Sequence, residues 1–269
     1  MMQQIHEAVE YLKNQGVKDP EVGIILGTGL GKLVREIRIE KKIFYEDIPN
    51  FPVSTVEFHH GALVYGELAG KEVLAMWGRF HVYEGYTTQQ ITLPIRVMKL
   101  LGVKYLIVSN AGGAMNLDYK AGSLMLITDH INLLPNPLIG PNLDELGPRF
   151  PDMSQPYSSL LNGKIIRIAE EKGITLHKGI YVAISGPSLE TRAEYRFLRK
   201  IGADVVGMST TPEVIVANHM GLPVAALSVV TDECDPDNLA PVDIEKILHY
   251  AARAEDGLVS ILCGLIGEL

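Results

Sequence analysis

Gly179–Pro223 reads GIYVAISGPSLETRAEYRFLRKIGADVVGMSTTPEVIVANHMGLP. The spacing predicts strand, turn, helix, strand, turn, helix. Ile180–Ile184 is a short apolar run that ends at Ser185-Gly186-Pro187, a turn signal. Between Leu189 and Ile201 apolar residues recur four apart, at Ala193, Phe197 and Ile201, which predicts a helix with that face packed inward. Ala203–Val206 reads as a second buried strand ending at Gly207. Thr210-Thr211-Pro212-Glu213 then offers a cap, a first-turn proline and a glutamate three residues after Thr210, a helix-start signature. Two strands that each deliver a polar turn to a helix describe an α/β sheet that binds ligands at those strand ends. Ser188 and Glu190 occupy one turn; Ser209, Thr210 and Thr211 occupy the other. Ser209 near a helix N-terminus suits an anion, because the backbone N–H groups there lack helical partners. Capping alone would account for either turn taken singly.

The same arrangement recurs outward from this stretch. Val22–Leu26 is a buried strand that runs into Gly27-Thr28-Gly29-Leu30-Gly31 and a helix start. It is not a dinucleotide fingerprint, since Lys32 stands at the third glycine position. Nor is it a Walker loop, since Leu26 and Leu33 stand where glycine and a hydroxyl are required. Phe58-His59-His60-Gly61 precedes two strands, Ala62–Leu68 and Lys71–Met76, that read as an antiparallel pair. They lead into Gly78-Arg79-Phe80-His81-Val82-Tyr83-Glu84-Gly85-Tyr86, a segment too polar for core. There the planar fork of Arg79 and the ring of His81 suit an oxyanion. Thr88–Leu101 is a helix kinked by Pro94. Tyr105–Ser109 is a strand ending in a glycine-rich turn at Asn110–Ala114, and Ser123–Thr128 is another strand. Leu133–Pro156 is too long to be an idle connection and reads as a functional loop or an interface. Leu161–Lys172 is a helix. Pro223–Val230 is a strand running into Thr231–Asp235, and Val242–Ile266 is the closing helix.

Bulk properties set the limits. The chain of 269 residues fits one α/β domain over 1–269, and 47% hydrophobic residues suffice for a large core. A formal net charge of -8 argues against nucleic acid as a partner, because phosphate backbones call for a basic face. Two cysteines, Cys234 and Cys263, lie far apart without a C-x-x-C pattern. This argues against structural zinc or a disulfide scaffold and for a reducing cytoplasmic setting. The N-terminal segment is an amphipathic helix with Ile5, Val9 and Leu12 on one side, unlike a signal peptide, and no apolar run is long enough to span a membrane. No metal cluster and no G-x-S-x-G elbow is evident. Gathered at one sheet edge, Thr28, His59, Arg79, His81 and Ser209 would hold an anion beside two acids, Glu190 and Asp232. That set fits phosphate attacking a substrate whose leaving group the acids hold.

Six segments carry a specific resemblance: GTGLG at Gly27–Gly31, GRFHVYEG at Gly78–Gly85, SNAGGAMN at Ser109–Asn116, RFPDMS at Arg149–Ser154, GPSLET at Gly186–Thr191 and GADVVGMSTTPEVIVANHMG at Gly202–Gly221. In this order they closely resemble the trimeric purine nucleoside phosphorylases. The resemblance implies a mixed central β-sheet flanked by helices, a homotrimer, and reversible phosphorolysis of purine (deoxy)nucleosides, with inorganic phosphate as co-substrate and no other cofactor. It places Thr28, His59, Arg79, His81, Ser209 and the Ala111 N–H around phosphate. It places Tyr83 and Met208 at the ribose, and Phe150 in a neighbouring subunit's site. Ala111, Gly112, Leu189, Glu190, Val206 and Asp232 would surround the base, with His81, Glu190 and Asp232 in the catalytic roles.

Four positions depart from the family pattern. Thr28 replaces a usual Ser and keeps the hydroxyl. Leu189 replaces an aromatic. Asp232 stands where the 6-oxopurine enzymes carry Asn, and Ile244 falls where a His meets the 5′-hydroxyl. The last two are similar to the 5′-methylthioadenosine phosphorylases, the second reading; a non-catalytic nucleotide-binding protein on the same fold is the third. An ionised Asp232 can only accept, so it favours a 6-amino group over a 6-oxo group. A protonated Asp232, favoured by burial beside Glu190, would instead bond N7 and serve as a general acid.

Overall fold

Nine strands form one mixed sheet in a computed structural model that describes residues 1–27, 30–55, 60–241 and 243–269. Thr28 and His59 lie outside the described residues. The strands are β1 (Val22–Ile25), β2 (Arg38–Phe44), β3 (Ala62–Leu68), β4 (Lys71–Trp77), β5 (Tyr105–Ala114), β6 (Leu124–Asn132), β7 (Leu176–Ala183), β8 (Val205–Gly207) and β9 (Val224–Glu233). Their order is β2-β3-β4-β1-β5-β8-β7-β6-β9, and β9 also pairs with β5, so the last five strands close on themselves. β1 lies parallel to β4 and β5, while β3 and β4 form the antiparallel hairpin expected from the sequence. The helices are α1 (Met2–Asn14), α2 (Thr88–Ile91), α3 (Leu93–Leu100), α4 (Ser159–Glu171), α5 (Arg192–Lys200), α6 (Thr211–His219) and α7 (Ile244–Gly267).

Alternation along the strands builds a core on each face, because successive strand side chains point to opposite sides. Ile25, Leu74, Met76, Leu106 and Val108 pack on one face with Ile5 and Leu12 of α1, Ile95 and Met98 of α3, and Val214 and Val216 of α6. Val22, Ile24, Val73, Ala75 and Ile107 pack on the other with Ile165 of α4 and Leu258, Ile261 and Leu265 of α7. No helix among the described residues is long and apolar enough to cross a membrane.

Several local readings need correction. Asn110–Ala114 is not a turn: β5 continues through it, pairing with β9 along one edge and at Gly113 and Ala114 with β8. Its glycines are there for clearance. A Cβ on Gly112 would stand 2.6 Å from Val205 Cγ1, and one on Gly113 only 2.4 Å from Cys234 Sγ. In α5 the inward face is Tyr195 and Leu198, while Ala193, Phe197 and Ile201 face outward. Charged residues between the apolar ones support either reading, and the tertiary contacts chose. Thr88–Leu101 is two helices broken at Thr92, with Pro94 in the first turn of α3. After Gly31 the chain makes only a short 3-10 turn, Lys32–Glu36. The segment between β6 and α4 contains neither helix nor strand, as expected for the long loop.

Candidate active site

Four strand ends and two flanking segments meet at one cavity of about 190 Å³. The loop after β4 contributes Arg79, His81 and Tyr83, and β5 contributes Asn110, Ala111, Gly112 and Gly113. Val206 to Ser209 enter from the end of β8, and Thr231 and Asp232 from β9. Leu189 and Glu190 enter from the turn before α5, and Ile247, Leu248 and Ala251 from α7. The sequence thus brought together every described residue it proposed except two. Phe150 is 87% exposed on the long loop, outside this cavity. Ile244 is 52% exposed at the first turn of α7, and Ile247, one turn on, faces the cavity instead.

Arg79 is only 1% exposed. Glu213 Oε1 accepts from its Nε and Nη2 at 3.2 and 2.8 Å, and the Ser109 carbonyl accepts from Nη1 at 2.9 Å. Glu213 was expected to complete a capping box for α6. It holds the arginine fork instead, and Thr210 makes no side-chain cap. Such a fixed planar fork is suited to a tetrahedral oxyanion. The ring of His81 stacks on Tyr83 with centroids 4.6 Å apart, and its Nδ1 lies 3.1 Å from Glu84 Oε1. Burial alone would raise the Glu84 carboxyl, but hydrogen bonds from His81 and Thr55 outweigh it and bring it down to about 2. Ionised Glu84 can only accept, so Nδ1 carries the proton. Burial in turn pushes His81 below its ordinary value, against the pull of Glu84.

Ser209 is presented by an unusual backbone. Thr210 has φ 73° and ψ −53°, and the Thr211 N–H donates to the Ser209 carbonyl at 2.8 Å, closing a γ-turn. A β-branched residue there costs on the order of 1–3 kcal/mol, and such strain persists where the surroundings enforce it. Thr210 is fully buried, and its Oγ1 accepts from Asn110 Nδ2 at 2.8 Å and lies 3.2 Å from Ser209 Oγ. The network fixes the Ser209 hydroxyl at the rim of the cavity just before α6. No sequence signal marked Asn110 for this task.

At the other end, Glu190 is 9% exposed and takes a hydrogen bond from Tyr195. Burial pushes its carboxyl upward, the nearby charge of Asp232 adds to this, and the Tyr195 bond opposes it. Asp232 Oδ1 accepts from Thr231 Oγ1 at 2.7 Å, and Oδ2 accepts from Cys234 Sγ at 3.1 Å. Burial holds the Cys234 thiol well above its ordinary value, so it serves as an S–H donor. The turn after β9 is closed by Asp235, which accepts from the Asp237 N–H, leaving Asp232 to face the cavity. Tyr195 and Cys234 were not among the expected site residues. Tyr195 sits on the α5 face that the spacing of Ala193, Phe197 and Ile201 misassigned. Among the described residues, no group of three or more His, Cys, Asp or Glu side chains is placed to hold a metal ion.

A sheet closed at one end thus carries a buried cation and two acids in a cavity at its strand ends. Residues 21–267 fit the family model described as the phosphorylase superfamily. Purine nucleoside phosphorylase 1 of Bacillus subtilis is 47% identical over 269 residues, covering 100% of this chain and 99% of that protein. A crystal structure of Schistosoma mansoni purine nucleoside phosphorylase in complex with inosine superposes with a TM-score of 0.94 at 41% identity, covering 99% of this chain and 96% of that one. The same organism's enzyme in complex with adenosine gives a TM-score of 0.93 at 41% identity, covering 99% and 97%. The chain belongs to the purine nucleoside phosphorylase family, within the phosphorylase superfamily.

Proposed function

We propose that this chain catalyses reversible phosphorolysis of purine ribo- and deoxyribonucleosides, giving free base and (deoxy)ribose 1-phosphate. The observation that supports this best is a single cavity lined by Arg79, His81 and Ser209 and also by Glu190 and Asp232. In this reading phosphate is held by Arg79, His81, Ser209 and the Ala111 N–H, with Thr28 and His59 as further donors. It attacks C1′ as the C1′–N9 bond breaks. Tyr83 and Met208 line the ribose, and Ala111, Gly112, Val206 and Leu189 flank the base. Glu190 accepts the N1–H of a 6-oxopurine. Asp232 meets the N7 and 6-position edge. Charge grows on the sugar and on the departing purine, so bonds aimed at both are strongest in the transition state. Phosphate is the co-substrate and the reading needs no cofactor.

Incubation with inosine and phosphate should release hypoxanthine, and omission of phosphate should abolish release. A protein that binds inosine without converting it would leave only a binding role. Asp232→Asn should shift the kcat/KM ratio toward inosine over adenosine by about 1–3 kcal/mol, since the carboxylate can only accept while the amide can donate to O6. An unchanged ratio would remove Asp232 from base recognition. The acceptor character of Asp232 and the apolar Ile247 and Leu248 also favour 5′-methylthioadenosine as a substrate, and its turnover measured beside inosine decides the ranking.

The exposed Phe150 suits a homotrimer in which it completes the neighbouring subunit's ribose site. Light scattering should give three chains, and Phe150→Ala should raise the KM for nucleoside. An active monomer would exclude this arrangement. Cys234 and Cys263 are both free thiols, which suits a cytoplasmic setting.

A further inference from the structure

A second cavity of about 540 Å³ adjoins the first at its acidic end. The two share Glu190, Asp232, Leu189, Tyr195, Thr231 and Ile247, while Arg79, His81 and Ser209 line only the first. The second cavity therefore opens beyond the base, away from the anion donors. Its own walls mix apolar Leu239, Pro241 and Tyr250 with charged Glu233, Asp243 and Lys246, and Ala240 lies on the segment between β9 and α7. Its volume lies in the range of small-molecule pockets, roughly 300–1,000 Å³. An unsubstituted purine held by Glu190 and Asp232 would leave it without an occupant.

On a purine, the exocyclic atom at C6 lies between N1 and N7 on one edge. A base held by Glu190 at N1 and by Asp232 at the N7 side presents its 6-substituent to the gap between the two carboxyl groups. Glu190 and Asp232 both line the second cavity. Thr231 and Cys234 each donate to one oxygen of Asp232, and each oxygen keeps a further acceptor site. A secondary 6-amine keeps one N–H for Asp232 and carries its substituent onward; a tertiary amine or an ether has no such hydrogen.

We propose that the enzyme also phosphorolyses N6-monosubstituted adenine nucleosides, with the alkyl or aryl group seated in the second cavity. This rests on the purine nucleoside phosphorylase reading. The bonds balance as in the parent reaction. A phosphate oxygen bonds to C1′, the C1′–N9 pair leaves on the base, and the proton lost by hydrogen phosphate ends on the base.

The test compares inosine, adenosine, N6-benzyladenosine and N6,N6-dimethyladenosine with saturating phosphate, reading base and ribose 1-phosphate. N6-benzyladenosine should keep at least about a tenth of the kcat/KM of adenosine, and N6,N6-dimethyladenosine should fall about tenfold or more below adenosine. N6-benzyladenosine below that tenth overturns the proposal, as does adenosine left intact beside active inosine. Inertness toward all four sinks the phosphorylase reading and this proposal with it. Ala240→Phe narrows the second cavity from an exposed segment. It should lower N6-benzyladenosine turnover by about tenfold with adenosine unchanged. Equal effects on both, or none on either, would mean that the substituent lies elsewhere.

Discussion

Arg79→Ala is expected to raise the KM for phosphate by roughly 10- to 150-fold, the equivalent of losing a charge-assisted donor worth about 1.5–3 kcal/mol. The KM for nucleoside should move far less. The variant has a second effect that must be separated from the first. Glu213 is 3% exposed and gives its Oε1 to two Arg79 nitrogens, so truncation strands a buried carboxylate. Breaking a buried pair in this way costs on the order of 3–5 kcal/mol of stability. The double variant Arg79→Ala/Glu213→Gln removes that stranded charge. Its Tm should recover most of the loss, while phosphate KM stays high. Recovery of phosphate KM together with Tm would mean that Arg79 serves the fold and not the anion.

The pairs of strand and turn were legible because each turn is punctuated by Gly or Pro and each buried strand is a short apolar run. β1, the β3–β4 hairpin and α7 follow those signals, and β7 ends where they put it although it begins earlier, at Leu176. β2 was not legible. Its sequence, RIEKKIF, is exposed at all but one position, as suits an edge strand defended by charge, and so lacks the alternation of a half-buried strand. Asn110–Ala114 misled for a related reason. Glycine usually signals a turn, but here it marks close approach of β8 and β9, a contact made by residues about a hundred positions away. The site was legible as a list of polar residues at strand ends. Its supporting contacts were not: Asn110 on Thr210 and Glu213 on Arg79 join segments distant in sequence, Cys234 reaches back along its own segment to Asp232, and no local pattern records any of the three.

Glu190→Ala should lower inosine turnover by about 10²–10³-fold without unfolding the chain, the loss typical of removing one bond that strengthens as charge develops. The competing role, an acid that merely caps α5, is already filled: Thr191 caps the helix, its Oγ1 accepting from the Glu194 N–H while the Glu194 side chain reaches back to the Thr191 N–H at 2.7 Å. Glu190 faces the cavity, and burial lifts its carboxyl above the ordinary carboxylate range. The sign of the pH effect follows. Inosine presents N1–H and needs an ionised acceptor, so its kcat/KM holds at higher pH and falls as pH drops through that raised pKa. Adenosine presents an N1 lone pair, to which a protonated Glu190 donates. The adenosine-to-inosine ratio should therefore climb on acidification, starting above the pH where an ordinary glutamate, at about 4.3, would titrate. Groups that act on both substrates, such as His81 or phosphate itself, cancel in the ratio. Glu190→Gln offers both an acceptor and a donor at every pH, so it should flatten the ratio. A slope that survives in Glu190→Gln would assign the titration to another group and leave Glu190 without a part in reading the base.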